Sequence, residues 1–462
     1  MEGMQKSFGT KDVLAMAFGS MIGWGWIMLS GTWAREAGML GAILAYGVCA
    51  ILCICVGLVY AELTAAIPYT GGSVVFAFKS MGPRAAAVAG LATAFSYLGV
   101  AAWEGPAFAS AIDYLVHVPQ FGYLWTIRGY EVYISWALIA MAASVLITLV
   151  NIIGSKATAM FQTAATVGIL IVGVLFIFGA VRFGSADNVE ALFTTPAGFM
   201  SVMLMGPAMF VGFDVIPQSA GEMNVPLKKI PGILVVSIIG AAMWYMLMIF
   251  STCFSAPGSL LSGASIPVAD AMAYAFQNPV WGKICIIGAL LGILTSWNGF
   301  MFGAARCLYS MARAGLLPEV LGKIDPKHGT PRNAILFCGF ISTFSCVLGK
   351  SALTWFVNAS SFSVVLMYGI SVLAFVLLRR NQPDMIRPYK ISNGKILGAC
   401  AVLVVLFFLY LYLPFGPSSL DAVEWGMVIG WFLIGGLVVM ASLRKTRGWS
   451  YEQRASMLFH KD

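Results

Sequence analysis

The chain has 462 residues, of which 60% are hydrophobic and only 10% are charged. A water-soluble domain carries about 25% charged residues, so this composition excludes a soluble globular protein and indicates a polytopic membrane protein. The formal net charge is +8, but the basic residues do not form a stripe with aromatic residues between them. We therefore predict no nucleic-acid partner.

Apolar runs long enough to cross a lipid bilayer recur through the whole chain. A hydrocarbon core of about 30 Å requires about 20 apolar residues per helix. On this measure we predict twelve transmembrane spans in a single membrane domain that covers residues 1–462. The predicted spans are residues 11–34, 39–67, 85–116, 131–152, 156–181, 197–220, 230–254, 280–312, 333–349, 352–379, 396–414 and 422–443.

The lysines and arginines predict the orientation of these spans. If the N-terminus lies in the cytoplasm, 22 of the 27 basic residues fall on the cytoplasmic side. The five on the outer side are Arg35, Arg128, Arg182, Lys283 and Lys350. Because positive charge concentrates in cytoplasmic loops, we expect a multi-pass protein of the cytoplasmic (inner) membrane with both short termini in the cytoplasm.

The cysteines and histidines show no spacing that is typical of a metal or catalytic site. Nine cysteines and three histidines occur, without paired metal-ligand motifs, a Gly-rich phosphate loop or a nucleophile elbow. We interpret the cysteines as small apolar packing residues. The sequence therefore predicts no enzyme activity, no cofactor, no metal and no obligatory partner subunit.

Two spans contain residues that interrupt a helix. Residues 19–26 of span 1 are rich in glycine. Residues 206–222 of span 6 contain glycines, prolines and an aspartate. Unwound helix is tolerated in a membrane only around a protein-lined cavity. Broken helices in corresponding positions of two halves indicate a transporter site between inverted repeats, here 1–182 and 195–380, with two additional helices in 395–445. The alternative for span 1 is a small-residue packing face.

Four segments carry motifs that resemble those of one transporter family. They are GSMIGWG (19–25), YAELTAAIPYTGGSVVFAFKSMGP (60–83), FVGFD…E…P…P (210–231) and RCLYSMARAGLLPEVLGKIDPKHGTP (306–331). In this order they resemble the amino acid–polyamine–organocation (APC) superfamily of permeases across spans 1–10. The resemblance implies an all-α, LeuT-type fold with spans 1 and 6 unwound in a 5+5 inverted repeat. It also implies an amine-bearing organic substrate.

The unwound part of span 1 predicts a site for the head group of the substrate. Backbone N–H groups at a helix N-terminus attract an anion such as a carboxylate, and the resemblance implies that residues 23–25 supply them. Carbonyls freed near Ser20, Phe210 and Val211 would accept from a substrate ammonium. The predicted site around both breaks comprises Ser20, Met21, Ile22, Gly23, Trp24, Gly25, Ala208, Phe210, Val211, Gly212 and Phe213.

Aromatic residues of this chain depart from the pattern of the family. Relatives usually carry a small residue where this chain has Trp24, and often an aromatic gate where it has Ala208. We predict that Trp24 faces the substrate pocket, with packing or an interface position as the alternative. Trp103, Trp297 and Phe300 are also predicted to bind substrate. If the substrate is an amine without a carboxylate, Trp24, Trp103 and Trp297 would form a cation–π wall, at about 0.5–2 kcal/mol per contact.

Two carboxyl groups are predicted deep in the membrane. Glu104 falls near the middle of span 3 and Asp214 follows the break in span 6. A charge at the bilayer centre costs about 2.5–3.5 kcal/mol and is functional by default. We predict that Glu104 binds an ammonium or carries a proton, and that Asp214 contributes to gating or proton linkage. The alternative for Glu104 is a structural carboxyl hydrogen-bonded to a neighbouring helix.

Lys156 begins span 5 within the motif N-x-x-G-x-K. The resemblance implies that sodium-independent relatives place this lysine in the site that sodium occupies elsewhere in the fold, beside Thr295 and Ser296 of span 8. An ammonium there can replace the cation, whereas the alternative is a positive-inside anchor. We therefore expect a sodium-independent, proton-coupled secondary transporter of amino acids or related organic amines. The alternative is an importer or exchanger of a carboxylate-free amine, such as a polyamine or alkylamine, with Glu104 as its counter-ion.

Overall fold

The computed structural model describes residues 6–127, 129–264, 266–349, 352–417 and 419–459. In these ranges the chain is a helical bundle with one two-stranded sheet. The helices are α1 (Thr10–Met21), α2 (Gly25–Ala37), α3 (Met39–Ala66), α4 (Ser73–Met81), α5 (Pro83–Leu115), α6 (Ile134–Ile153), α7 (Ser155–Phe183), α8 (Pro196–Phe210), α9 (Val215–Gln218), α10 (Ile230–Ser255), α11 (Gly258–Gly263), α12 (Pro267–Ala275), α13 (Pro279–Arg313), α14 (Arg332–Ser345), α15 (Ala352–Asn381), α16 (Gly394–Tyr412), α17 (Ala422–Lys445) and α18 (Tyr451–Leu458). The strands are β1 (Tyr123–Ile127) and β2 (Tyr130–Tyr133).

The long apolar helices confirm a polytopic membrane protein. In the described ranges, ten helical segments are long and apolar enough to cross a membrane, and α1 with α2 forms an eleventh, bent by 48°. A shorter apolar segment, Arg332–Leu348, coincides with predicted span 9. The total of twelve spans and the inverted repeat stay predictions.

The interruption predicted in span 1 lies at residues 22–24, between α1 and α2. The interruption predicted in span 6 lies at residues 211–214, between α8 and α9. Pro207 lies inside α8 and does not end it, because the helix continues for three further residues. Each break therefore falls within the predicted segment, and each leaves backbone groups without helical partners.

Gly212 brings the two breaks into direct contact. Its φ of +135° lies in a region that side chains rarely allow but glycine adopts readily. A Cβ at this position would lie 2.8 Å from the Met21 nitrogen and 2.9 Å from the Ser20 carbonyl carbon. Glycine is therefore required at residue 212 for both its backbone conformation and the close approach of α1.

A β-hairpin between α5 and α6 is a departure from the predicted all-α fold. β1 and β2 pair antiparallel, and Gly129 in the connection has a φ of +78°. The strands are rich in aromatic and β-branched residues, which favour extended structure. Predicted span 4 therefore begins late, at Ile134 rather than at residue 131. Trp125 Nε1 donates to the Val347 carbonyl at 2.9 Å and holds the hairpin against the end of α14.

The bundle has two ends, which we name the hairpin face and the terminal face. The hairpin face carries β1 and β2, and the terminal face carries Phe8 and α18. α18 is fixed there by the buried Arg454, which donates to the Ala314 carbonyl at 2.9 Å, and by Tyr451, whose ring stacks on Phe78 at 5.1 Å. α5 and α13 run through the most buried part of the bundle, between these two faces.

Candidate substrate-binding site

A small cavity lies where the breaks of spans 1 and 6 meet. Its volume is about 30 Å³. The lining residues are Ser20, Met21, Gly23, Gly25, Val100, Trp103, Ala208, Met209, Val211, Tyr245, Ser296 and Phe300. A second cavity of about 20 Å³ adjoins it, shares five of these residues and adds Val357, Ser360, Ser361 and Val364 of α15. We refer to the two together as the central cavity.

Unpaired backbone donors face the central cavity. The N–H groups of residues 23–25 have no hydrogen-bond acceptor among the described residues, and both Gly23 and Gly25 line the cavity. They lie at the N-terminal end of α2, where the helix dipole favours an anion. The freed Met21 carbonyl accepts from the Tyr245 hydroxyl at 2.9 Å. This arrangement suits the carboxylate of a small organic substrate.

The central cavity is contracted in this structure. One water requires about 10–15 Å³ of such volume, so the measured space is smaller than any amino acid. The Met209 side chain lies across Gly25, where an added Cβ would be 2.6 Å from the Met209 sulfur. Because methionine side chains are flexible, a rotation of Met209 would enlarge the space beside the free backbone donors.

Glu104 lies immediately behind the wall of the central cavity and is fully buried. Its Oε1 accepts a hydrogen bond from the Ser296 hydroxyl, and its Oε2 has no hydrogen-bond partner in the described part of the chain. A Cβ at Gly23 would lie 3.0 Å from Oε1. An ionised carboxylate in this environment is costly unless it is paired, so Glu104 is suited to hold a proton or a cationic group.

Asp214 is also fully buried but faces away from the central cavity. It accepts hydrogen bonds from the Tyr97 hydroxyl, from the Gly212 N–H at 2.8 Å and from the Tyr368 hydroxyl at 3.4 Å. Asp214 thus ties the break of span 6 to α5 and α15. Three donors satisfy acceptor positions of this carboxylate, which suits a structural or gating role.

Lys156 does not reach Thr295 and Ser296. It lies in the first turn of α7 and its side chain is exposed. The Thr295 hydroxyl donates to its own helix, at the Gly292 carbonyl, at 2.9 Å. The expected replacement of sodium by this ammonium therefore has no geometric support, because the lysine lies near the terminal face of the bundle.

Gln162, on the same helix as Lys156, contacts both α1 and α13. Its Nε2 donates to the Ala15 carbonyl at 3.4 Å, and its Oε1 accepts from Asn298 at 2.7 Å. A Cβ at Gly19 would lie only 2.6 Å from that Nε2. Asn298 in turn accepts from Asn151 at 2.9 Å. A neutral chain of amides therefore joins α6, α13 and α7 to α1.

A buried ion pair closes the site toward the terminal face. Arg306 Nε lies 2.8 Å from Glu222 Oε1, and Arg306 Nη2 lies 3.1 Å from Oε2. Arg306 Nη2 also donates to the Ser155 hydroxyl at 3.1 Å, and the guanidinium lies 3.5 Å from the centre of the Phe302 ring. We name Glu222, Arg306 and Ser155 the terminal gate.

The N-terminal segment adds to this closure. The N–H groups of Ser7 and Phe8 donate to the Glu222 carbonyl at 3.0 and 3.2 Å, and the Asn224 N–H donates to the Phe8 carbonyl at 2.9 Å. The Phe8 ring contacts Phe302 edge to face at 5.3 Å. Glu222 therefore joins the end of span 6 to α13 through its side chain and to the N-terminus through its backbone.

Comparison with known proteins identifies the family. The family model described as "Amino acid permease" matches residues 8–439. The chain belongs to this amino acid permease family. It is accordingly a permease of the APC superfamily, as the four motifs predict.

Several relatives of this amino acid permease are named as transporters. The branched-chain amino acid permease BcaP of Bacillus subtilis strain 168 is 27% identical over 96% of this chain and 94% of its own length. The methylthioribose transporter of the same organism is 22% identical over the same shares. The aspartate-proton symporter of Bacillus subtilis strain 168 is 26% identical over 88% of this chain and 79% of its own length.

The permease brings many of the predicted residues to one place. The predicted residues that line the central cavity are Ser20, Met21, Gly23, Gly25, Trp103, Ala208, Val211, Ser296 and Phe300. Others are buried nearby without lining it, namely Ile22, Glu104, Phe210, Gly212, Phe213, Asp214, Thr295 and Trp297. Trp297, expected in the wall, instead donates its indole N–H to the Ser342 hydroxyl at 2.8 Å. Trp24 lines a separate, larger cavity on the hairpin face.

Several residues of the site were not found from the sequence. Val100, Tyr245 and the four α15 residues carry no charge, motif or break that could single them out, whereas Met209 lies within the predicted interruption at 206–222 and was not assigned to the site. Gln162 and Glu222 are different, because a buried amide in an apolar span and the glutamate within the span 6 motif were visible signals.

Proposed function

We propose that this permease is a secondary active transporter of amino acids with apolar side chains. The observation that carries the proposal is the set of unpaired N–H groups at residues 23–25, which open on a cavity with apolar walls. The N–H groups would bind the substrate carboxylate, and the carbonyls freed at Ser20 and Val211 would accept from its ammonium. The branched-chain permease among the relatives supports this substrate class.

The α15 side of the central cavity supports an apolar side chain. Its apolar lining comprises Val100, Ala208, Val211, Val357 and Val364. The hydroxyls of Ser360 and Ser361 are already satisfied by the Val357 carbonyl of their own helix, at 3.0 and 2.6 Å. None of the described residues lining either part of the cavity is charged. A charged substrate side chain on the α15 side would therefore be buried without a partner, which is costly.

We propose that transport is coupled to protons rather than to sodium. Glu104 would carry the proton, because its Oε2 lacks a partner and it touches Gly23 at the break. Asp214 would contribute to gating through its bonds to α5 and α15. Within α1, away from the break, the Ala15 carbonyl already accepts a hydrogen bond from the neutral Gln162 amide. The aspartate-proton symporter among the relatives supports proton coupling.

A second candidate is the transport of a carboxylate-free amine. The free Oε2 of Glu104 favours it, since a buried carboxylate next to Trp103 would suit a desolvated ammonium. The methylthioribose transporter among the relatives carries, by its name, a substrate that is not an amino acid. In this case the N–H groups of residues 23–25 would bind no substrate carboxylate.

Alternating access would require the terminal gate to open. We propose a multi-pass protein of the cytoplasmic membrane with the terminal face inside, because the predicted loops on that side hold most lysines and arginines. Spans 1, 2, 6 and 7 would then rock against the remaining spans. Rocking separates Glu222, at the end of span 6, from Arg306 in α13.

Uptake by purified protein in proteoliposomes tests the proposal. We expect leucine to enter when the outside is acidic, with little change when sodium is replaced by potassium and a loss of accumulation with a protonophore. Lysine and aspartate should enter at least tenfold more slowly than leucine.

Glu104→Gln should abolish accumulation, whereas Glu319→Gln, on an exposed residue, serves as the matched control. Uptake of isopentylamine without leucine uptake would support the second candidate, and sodium-driven leucine uptake would refute proton coupling.

A further inference from the structure

The lipid-facing side of span 9 runs up to the β-hairpin. Exposed apolar side chains recur every fourth residue on one side of this segment, namely Leu336, Phe340, Phe344 and Leu348. Because lipid acyl chains are as apolar as these side chains, this side of a membrane span faces lipid. α14 also packs on α6, where the Thr343 hydroxyl donates to the Ser144 hydroxyl at 2.9 Å. The hairpin therefore meets the membrane at the ends of two neighbouring spans.

The lengths of these two spans place the hairpin at the edge of the hydrocarbon core. α6 has 20 residues, which is about 30 Å of helix and equals the thickness of the core. It begins at Ile134, directly after β2 ends at Tyr133. The segment Arg332–Leu348 measures about 25 Å, so it falls about 5 Å short of crossing the core. β1 and β2 therefore lie at the level of the lipid head groups.

The pairing of the strands gives the hairpin one apolar and one polar face. Residues directly opposite each other in an antiparallel pair share a face, and an irregularity between Tyr123 and Trp125 turns Trp125 away from the Tyr123 side. The apolar face consists of Trp125, Ile127, Tyr130 and Val132. The polar face consists of Tyr123, Thr126, Glu131 and Tyr133.

The polar face is suited to water. The hydroxyls of Tyr123 and Thr126 are hydrogen-bonded to each other at 2.9 Å, and the Tyr133 hydroxyl donates to the Glu131 carboxylate. Glu131 is exposed. A charged carboxylate is costly to remove from water, so this face cannot turn toward the acyl chains.

The apolar face covers the end of span 9 and is only partly buried. Val132 is buried against Gly349, where an added Cβ would lie 2.5 Å from its Cγ2. The Trp125 indole N–H donates to the Val347 carbonyl at 2.9 Å. Trp125 is nevertheless 40% exposed, and Tyr130, which also borders the larger cavity, is 58% exposed. Because the indole N–H is already used, the exposed part of Trp125 is an apolar ring.

We propose that the hairpin is an interfacial anchor that binds phospholipid at the hairpin face. Its apolar face contacts the upper parts of the acyl chains beside Leu348, and its polar face lies in water. Aromatic side chains with an apolar body are typical of this depth in the bilayer. A carbonyl without a partner is costly in hydrocarbon, so Trp125 also satisfies the end of the short span. Lipid binding here is independent of which substrate is transported.

Fluorine NMR of fluorotryptophan-labelled protein in phosphatidylcholine nanodiscs tests the proposal. The Trp125 line is the one that Trp125→Phe removes from the 13 tryptophans, and Trp125→Tyr serves if that variant does not fold. We expect lipid spin-labelled near the head group to broaden this line at least threefold more than a water-soluble gadolinium chelate does. The fully buried Trp297 should be broadened by neither. A Trp125 line broadened more by the chelate, or by neither agent, would overturn the proposal.

Bilayer thickness provides a second measurement. In a thicker bilayer the end of span 9 lies deeper in hydrocarbon, so loss of the Trp125 hydrogen bond becomes more costly. We expect Trp125→Phe to lower the thermal midpoint at least twice as much in dierucoyl as in dimyristoleoyl phosphatidylcholine. Trp431→Phe is the matched control, because its indole donates to the Leu91 carbonyl at 2.9 Å from the interior of α17. Its loss should be the same in both lipids, and equal losses for Trp125→Phe would refute the anchor.

Discussion

Replacing Glu222 with glutamine tests whether the terminal gate holds the permease closed. The carboxylate and the Arg306 guanidinium are both fully buried and share two hydrogen bonds of 2.8 and 3.1 Å. Removing one partner of a buried ion pair costs about 3–5 kcal/mol, because the other charge is left uncompensated. Water reaches Arg306 when the terminal face opens. The loss of the ion pair therefore raises the free energy of the closed conformation and not that of the open one. At about 1.4 kcal/mol per tenfold change, the open population should rise between about a hundredfold and several thousandfold.

Hydrogen–deuterium exchange of the N-terminal segment reads out this shift. The N–H groups of Ser7 and Phe8 are bonded to the Glu222 carbonyl, so they exchange only when the terminal face opens. We expect exchange of these amides at least tenfold faster in Glu222→Gln. Glu319→Gln, which removes the same charge from an exposed residue of that face, should exchange as the wild type does.

A double variant separates electrostatics from packing. Glu222→Gln combined with Arg306→Met removes both charges, and a neutral replacement of a buried pair is often close to neutral in stability. We expect exchange to return toward the wild-type rate. If Glu222→Gln exchanges within twofold of the wild type, or the double variant opens further than the single one, the reasoning is refuted.

Four other substitutions test the site and its surroundings. Gly212→Ala should lower leucine uptake at least tenfold and lower the thermal midpoint, because a φ of +135° costs about 1–3 kcal/mol for other residues. Gln162→Leu should lower uptake at least fivefold in the proteoliposome assay, whereas the exposed Lys156→Met should stay within twofold. The hydrogen bond from His328 lowers the pKa of Asp325. This bond therefore stabilises the folded protein at neutral pH, and the stabilisation is lost as the pH falls through the lowered pKa. The difference in thermal midpoint between wild type and His328→Ala should therefore shrink below about pH 4.

Each of these predictions has a contradicting outcome. Gly232→Ala is the matched control for Gly212→Ala, since nothing lies within 4 Å of its added Cβ, and equal losses in both would remove the argument from strain. A larger loss in Lys156→Met than in Gln162→Leu would restore the lysine to the coupling site. A midpoint difference that is constant from pH 6 to pH 3 would show that Asp325 is not stabilised by His328.

The membrane class, the two breaks and the family were predictable from the sequence. Hydropathy and the distribution of basic residues are local properties of the chain, and each span must satisfy the same bilayer thickness. Glycine and proline also act locally, because each raises the free energy of a helical backbone at its own position. The interruptions at residues 22–24 and 211–214 therefore fall within the segments that the sequence marked.

The β-hairpin shows where local signals were present but were outweighed. Residues 131–133 directly precede the apolar stretch of α6 and also fit the start of a helix, so predicted span 4 included them. In the structure they pair with β1, and Trp125 holds the hairpin to Val347. The partner strand and this long-range hydrogen bond decide between the two conformations, and neither is visible in residues 131–133 alone.

The orientation of side chains was decided by tertiary packing. Trp24 and Gly23 are adjacent in sequence, yet Trp24 lines the larger cavity on the hairpin face and Gly23 lines the central cavity. Lys156 and Gln162 lie on the same helix, but only Gln162 meets α1. Which residue faces a cavity depends on how helices distant in the chain pack against each other.

The chain's own sequence determined that it is a membrane permease with two broken spans and with carboxyl groups in or beside them. Only the tertiary structure decided that Glu104 lies behind Gly23, that Asp214 is bound by Tyr97, and that Glu222 pairs with Arg306 across 84 positions of sequence. Hydropathy and helix breaking are set residue by residue, whereas these contacts exist only after the bundle has assembled.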